Sequence, residues 1–529
     1  MARLRGKAVL LHFWSASSAE CQRLIDDLRP IQELFADELV VIGVHTPRFP
    51  AEADHATVAD AVAALAIAHP VVDDATLALW EAYGAEEWPT VVLVSPAGEI
   101  TGMVSGDDCG EVLEAAVTEV LEGSTVTGRV RRRPVVLDPP LLPKGPLAFP
   151  GKVACSPDGR LLAVADTAHD QVLVCSLDGV VLEAHTGFLR PQGVRFDLSG
   201  VVVCDTLADR VVRTDGEVLA DSVVSPWDLV SDGRSWVIAE AGGNRLMRVR
   251  PGELRARLVA GTGAEGAMDG TVEKAELSQP SGVTYTAAGV VFVDAGGSAL
   301  RTVVEERRGG AVSTLVGDGR LGCGDADGPG DVAGLQFPLG VAADPRIADA
   351  PIYVADTYND AIRVWEDGRL RTLGAQGLRR PGGIDVLGDG RLVVADTGNH
   401  RIVLVDPSTA AVTPIDVDET WVHGIDGPPV RLYAGRSVTV DVGIELVDES
   451  LDRGAGAAPV SVVVSSRPAG LLAAGPLRVS LADAHGAVQI TGGTAGFGHL
   501  LVEMTASTLG AAGPGQRIQR FRHTLDVAP

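Results

Sequence analysis

Basic charge is scarce in this 529-residue chain: 44 lysines and arginines stand against 70 aspartates and glutamates, for a formal net charge of -26. Such a chain is repelled by phosphate backbones and anionic lipid, which disfavours nucleic acid and membrane surfaces as partners. The one dense basic run, Arg131-Arg132-Arg133, adjoins a proline-rich stretch and reads as a solvated linker. Cysteine is sparse as well. Cys21, Cys109, Cys155, Cys175, Cys204 and Cys323 are scattered rather than paired, unlike the disulfide framework of a small secreted protein. No stretch of 18 or more apolar residues occurs, so no transmembrane helix is expected. The start, MARLRGKAVLLHFWSASSAEC, has a basic end and an apolar run, as a signal peptide does. That run is only about six residues long, ends in Phe-Trp and lacks an A-x-A site. It reads as a strand, and a cytoplasmic protein is expected. No Ser-His-Asp order, phosphate-cradling glycine loop or zinc spacing appears, and no cofactor or metal is expected.

What is abundant is turn chemistry: 63 glycines and 31 prolines, with 46% hydrophobic residues to fill cores between many short elements. Residues 1–125 alternate strand-like and helix-like segments and predict an α/β domain. AVLLHFW and LVVIGVH are continuous apolar runs of buried parallel strands. Leu24, Ile25, Leu28, Ile31 and Leu34 have helical spacing. Helices are also predicted over 58–68, 75–83 and 111–121. Residues 126–146, rich in proline and arginine, read as a stiff linker.

From 147 to 420 the period changes. Six segments share an anchoring proline (Pro150, Pro191, Pro226, Pro280, Pro338, Pro381), a strand, an acid (Asp166, Asp205, Glu240, Asp294, Asp356, Asp396) and a second strand. Units of about 40 residues made of short strands predict a β-propeller, and six copies predict six blades. The repeated acid reads as architecture, accepting hydrogen bonds from a neighbouring blade's backbone, since a catalytic group is needed once and not six times. Ser298-Ala299-Leu300 is aligned with Asn399-His400-Arg401. Residues 428–529 alternate between glycine-rich turns and predict a C-terminal antiparallel β domain, a sandwich.

The repeat, clearest as ADTGNHRI at Ala395–Ile402, resembles the NHL repeat. The stretches VAGTGAEGAMDGTVEKAELSQPSGV (259–283) and LVGDGRLGCGDADGPGDVAGLQFPLGV (315–341) resemble those that precede NHL blades. The first domain resembles a thioredoxin fold, through the turn after Phe13-Trp14 leading to Cys21 and a helix, and through Trp88-Pro89-Thr90 before a strand. Together with the C-terminal β domain, nearly the whole chain resembles the NHL-repeat-containing protein 2 family. Members of that family carry Cys-Cys-x-x-Cys, which maps here to Ser17, Ser18 and Cys21, and an N-terminal extension that this sequence does not show, as a truncated gene start would give.

The resemblance places Ser18 at the nucleophile's position, Cys21 at the resolving position and Pro89 at the cis-proline. A helix end lowers a thiol's pKa but cannot ionise a hydroxyl, so Ser18 cannot open a disulfide. Two readings stay open. In one, Ser18 caps the helix, Cys21 packs beneath it and Pro89 shapes a turn. In the other, Cys21 works alone, forming a mixed disulfide or trapping a substrate, which requires it to be exposed. His12 and His45 have no further ligands nearby in sequence, His69-Pro70 reads as a loop before a strand, and Asp325-Ala326-Asp327-Gly328 lacks the closing glutamate of a calcium loop and reads as a turn.

The function expected is recognition of a protein or peptide across the propeller by a chain whose thioredoxin-like domain is redox-degenerate. The rivals are a thiol oxidoreductase acting through Cys21, and a propeller-channel hydrolase with inward-facing Glu, Asn, Asp and His. The inserts near 261–276 and 317–334 are expected to project from consecutive blades. Their acids, Glu265, Asp269, Asp325, Asp327 and Asp331, would favour a basic partner, and amides in their place should leave stability nearly unchanged.

Overall fold

The computed structural model describes residues 4–106, 109–126, 128–133, 142–306, 309–318, 322–344, 346–421, 425–426, 430–444, 449–451, 460–510 and 513–529. Much of the expected linker, and residues 319–321 of the second insert, lie outside the described residues. Two compact units form, one of residues 1–159, 163–172 and 185–414, the other of residues 160–162, 173–184 and 415–529.

The first unit begins with β1 (Ala8–Trp14), α1 (Ala19–Leu34), β2 (Leu39–His45), α2 (His55–Ala64), β3 (Val71–Asp73), α3 (Ala78–Tyr83), β4 (Thr90–Val94), β5 (Ile100–Ser105) and α4 (Cys109–Val126). The sheet order is β3-β2-β1-β4-β5. β1 runs parallel to β2 and antiparallel to β4. This central strand is buried along its whole length, which is why its sequence shows no alternation. Leu24, Leu28 and Ile31 of α1 and Leu113, Val117 and Leu121 of α4 pack on one face of it. α2 starts three residues earlier than predicted because the Asp54 carboxylate accepts the Thr57 N–H at 3.1 Å and caps it. α3 starts later because Leu77 takes a left-handed φ of 61°.

Six antiparallel sheets follow. Their innermost strands are Val153–Cys155, Pro191–Phe196, Pro226–Ser231, Pro280–Thr286, Gly340–Ala342 and Pro381–Val386. Each neighbours the next, and the sixth neighbours the first, so the ring closes as a six-bladed β-propeller. The repeated acid ends the second strand of every blade.

Three positions of the repeat hold the ring. The six acids accept the backbone N–H of Ala148, Leu189, Val224, Ser278, Gln336 and Arg379, two residues before each anchoring proline, at 2.6–2.8 Å. These bonds fix each blade's own entry loop and do not reach a neighbouring blade as expected. Thr167, Thr206, Thr357 and Thr397, one residue on, make the reach: they donate to the carbonyls of Pro191, Pro226, Pro381 and Pro150 at 2.6–2.8 Å. Four residues past the acid, Asp170, Asp209, Asn244, Ser298, Asp360 and His400 share φ values of 50–54°. Their side chains accept the N–H of Arg190, Ser225, Gln279, Phe337, Arg380 and Phe149, each just before the next blade's proline. The sixth blade's Thr397 and His400 both bond to the first blade. This register aligns Ser298 with His400 and corrects the sequence alignment by one residue, because glycine and serine hide the repeat there.

In blades 2 to 6 the acid's other oxygen meets an arginine, whereas in blade 1 the Gln171 amide donates to Asp166 at 2.8 Å. Arg210, Arg245 and Arg401 stand five residues on and donate at 2.7–2.8 Å. Blades 4 and 5 carry alanine at that position, and Arg301 and Arg363, seven residues on, donate to Asp294 and Asp356 at 2.7 and 2.8 Å instead. The inserts belong to the same two blades. Gly270–Thr271 and Gly328–Pro329 each add a fifth, outermost strand.

In the second unit, Val460–Arg467, Leu477–Leu481, Gly496–Gly510 and Gly513–Ala528 form antiparallel pairs, as do Ser437–Gly443 and His485–Thr491. Val442, Val488 and Ile490 share one core with Val462, Val502 and Leu525. The sheet is not wholly antiparallel as predicted: Val430–Tyr433 runs parallel to the last strand. Alternation fixes the face a residue takes, not the direction of its strand.

Candidate functional site

β1 delivers Trp14 to the turn Ser15-Ala16-Ser17, and α1 begins after Ser18. The Ser18 hydroxyl accepts the Cys21 backbone N–H at 3.1 Å and donates to Glu20 Oε2 at 2.9 Å, so Ser18 is the helix cap. Cys21 is 0% exposed. Burial pushes its thiol up to about 12, against a small opposing pull from its bond to Ser18. A thiolate there is suppressed at neutral pH. Trp14 and Cys21 share a small cluster with Ile25, Ala61, Leu65 and Ile67. The Trp88–Pro89 bond is cis, and the Trp88 indole N–H donates to Thr46 Oγ1 at 2.7 Å. Pro89 is buried.

The turn is held by a residue that sequence reasoning missed. Glu52, fully buried, accepts the Ser15 hydroxyl at 2.8 Å, the Ser17 N–H at 2.8 Å and the Arg48 N–H at 2.8 Å. The Tyr358 hydroxyl of blade 5 also donates to it, at 3.0 Å. A carboxylate with four donors is well compensated for its burial. The signal in the sequence was a lone glutamate within the short apolar segment Phe49-Pro50-Ala51-Glu52-Ala53 after β2.

Tyr358 is one of many contacts by which the thioredoxin-like face lies on the propeller. The Ala19 N–H donates to Gln279 Oε1 at 2.8 Å, and Ala19 packs on Trp227 and Ala241. Phe49 packs among Ala295, Phe337 and Tyr358. Asp60 pairs with Arg379 and Arg380, Arg23 with Asp209 at 3.0 Å, and Arg48 with Glu265. Ala241 and Ala295 are the two repeat positions without the threonine found in the other four blades. A cavity of about 150 Å³ remains beneath the cap, bounded by Ala16 and Leu65 on one side and Gln192, Trp227, Tyr358 and Arg380 on the other.

The acidic inserts do not form a free face. Asp269 accepts Arg301 at 2.8 Å and the Thr314 N–H at 2.8 Å; Asp327 accepts Arg363 at 2.8 Å and the Thr372 N–H at 3.1 Å. Glu265 is taken by Arg48 and by the Ser278 hydroxyl. The expected indifference of stability to amides at all five positions is therefore corrected, because three of the carboxylates are engaged in the fold. Asp325 and Asp331 remain exposed. Around the propeller axis stand Lys152, Arg195, Asp228 and Asp385, in place of the Glu, Asn, Asp and His set a channel hydrolase would need. Among the described residues, no three His, Cys, Asp or Glu side chains are grouped to hold a metal.

Comparison with known proteins agrees with this architecture. A thioredoxin-like family model matches residues 6–100, and an NHL repeat model matches residues 378–403. NHL repeat-containing protein 2 of Bos taurus is 29% identical over 513 residues, covering 80% of this chain and 70% of that protein. Protein SUPPRESSOR OF QUENCHING 1, chloroplastic, of Arabidopsis thaliana is 28% identical, covering 76% of this chain and 44% of that protein. The thiol-disulfide oxidoreductase YkuV of Bacillus subtilis is 28% identical over 115 residues, 22% of this chain and 78% of that one. With a thioredoxin-like domain set before an NHL-repeat propeller and similarity along four fifths of its length, this chain is a homologue of NHL repeat-containing protein 2.

Proposed function

We propose that the protein is a recognition scaffold for protein or peptide partners, in which the thioredoxin-like domain has given up thiol–disulfide exchange and serves as a fixed cap on one propeller face. One observation carries this reading: the turn that would hold the redox pair is capped by Ser18, retains only a 0% exposed Cys21, and is covered by Trp227, Ala241 and Gln279 of the propeller. A disulfide of another protein has no approach to it. Partner contacts then fall to the blade rims, where the exposed Asp325 and Asp331 favour a basic surface, through steering that weakens with salt. A reducing, cytoplasmic setting fits this reading, since the five cysteines whose side chains are described are all free.

The rival, a thiol oxidoreductase acting through Cys21, draws on the similarity of the first domain to YkuV. Insulin reduction with dithiothreitol separates the two. Background rates are expected, and Cys21 should resist N-ethylmaleimide until the chain is unfolded. Thioredoxin-like turnover, or labelling of Cys21 in the native chain, would establish the rival. For recognition, proteins captured by the intact chain should be lost at high salt and with Asp325→Asn/Asp331→Asn. Capture indifferent to both moves the binding surface off this rim.

A further inference from the structure

The second residue after each anchoring proline sits where six innermost strands converge on the propeller axis. Four blades place glycine there: Gly193, Gly282, Gly340 and Gly383. A Cβ at Gly282 would lie 2.7 Å from the Leu339 carbonyl oxygen, and one at Gly383 would lie 2.6 Å from the Lys152 Cα. Side chains are thus barred from most of this ring. The two exceptions are Lys152 and Asp228, of opposite charge, and both are almost fully buried.

The Lys152 ammonium donates to the carbonyls of Ser281 at 2.8 Å, Gly382 at 3.3 Å and Leu339. These are equivalent positions in three successive blades. Asp228 Oδ2 lies 3.9 Å from it on a fourth side. Arg195 approaches Asp228 at 3.8 Å, and Asp385, which accepts the Cys155 N–H at 2.8 Å, lies within Arg195's electrostatic reach. Two cations thus face two carboxylates: Lys152 and Asp228 are almost fully buried, and Arg195 and Asp385 are half-buried. Carbonyl oxygens converging beside a carboxylate are the donor set of a hard cation.

We propose that the propeller axis is a cation-binding site built from the Ser281, Leu339 and Gly382 carbonyls and the Asp228 carboxylate, permanently filled by the chain's own Lys152 ammonium, and that emptying it yields a site for a small monovalent cation such as ammonium or potassium. The tether removes any dependence of the native ring on a dissolved ion. Desolvation pushes the Lys152 pKa down to about 8, which leaves the group an ammonium at neutral pH.

The test uses the full chain with Lys152→Gly, which gives the first blade the glycine of the four others. Thermal unfolding is followed in ammonium chloride, potassium chloride and choline chloride at equal ionic strength, choline being too large for the ring. The wild type should show one midpoint in all three salts. The variant should unfold lower in choline and regain about 4 °C or more in ammonium or potassium. Equal midpoints of the variant in all three salts overturn the proposal. If the variant folds in none of them, Lys152→Met is compared with Lys152→Met/Asp228→Asn. Removing the stranded carboxylate should restore folding or raise the midpoint, and a double variant no better than the single one overturns the proposal.

Discussion

The Ala19 backbone N–H, at the first turn of the thioredoxin-like helix, donates to the Gln279 side chain of the fourth propeller blade at 2.8 Å. In a thioredoxin-type site that helix end is the part offered to a substrate's disulfide. Here it is committed to the chain's own propeller. Gln279→Ala leaves a buried donor unpaired and should lower stability by about 1–3 kcal/mol. It should also raise the rate at which iodoacetamide alkylates Cys21, as read by mass spectrometry. An unchanged rate would mean that the propeller does not shield the thiol.

Ser18→Cys restores the spacing of a redox pair but loses a helix cap worth about 1 kcal/mol. A small oxidant should close a disulfide between residues 18 and 21, detectable as a loss of two free thiols. Insulin should remain unreduced, because the obstruction is the covering propeller and not the missing sulfur. Turnover of insulin by this variant would place the obstruction in the sulfur after all.

His12 is buried with neither ring nitrogen bonded. Burial, with a smaller push from His69, lowers its pKa to about 3. The unfolded histidine titrates near 6.5, so between pH 6.5 and about 3 the unfolded chain binds the extra proton. Stability therefore falls as pH falls through that window, by about 1.4 kcal/mol per pH unit from this group, and is unaffected by it above the window. His12→Phe should remove that share of the slope. Urea midpoints of both proteins at pH 7, 6 and 5 check it: a constant difference between them would be the wrong result.

Arg301 spans Asp294 and Asp269, and Arg363 spans Asp356 and Asp327, in the same geometry. Arg301→Leu strands a buried carboxylate and should cost about 3–5 kcal/mol. Asp269→Asn and Asp327→Asn should each cost about 1–3 kcal/mol. Asp325→Asn and Asp331→Asn should stay within about 0.5 kcal/mol. Chemical denaturation of the set ranks them, and equal effects at all four aspartates would refute the division between engaged and free acids.

The blades were legible because the repeat writes its hydrogen bonds into residue types: an acid, a threonine, and four positions past the acid a side chain that accepts hydrogen bonds. The docking of the cap was not legible. It uses Ala19, Phe49 and Asp60 against Trp227, Ala241, Phe337 and Arg380, residues that are ordinary singly and lie hundreds of positions apart. Its one written trace is the loss of threonine at Ala241 and Ala295. At the site, the cap and the missing nucleophile could be read from Ser18 alone. The burial of Cys21 and the role of Glu52 could not, since both depend on what a distant segment places over them.

Those two alanines bear on the order in which the molecule assembles. Where four seams of the ring carry a threonine bond to the next proline, the seams after blades 3 and 4 lack it, and Ala19 and Phe49 lie against those places. The thioredoxin-like domain precedes the propeller in the chain and so leaves the ribosome before it. It is thus already available as a template when the under-bonded seams are made. Pulsed hydrogen exchange during refolding should show the amides of Gln279 and Phe337 gaining protection only after those of β1 and β2, and the reverse order would make the ring the template and the cap its passenger.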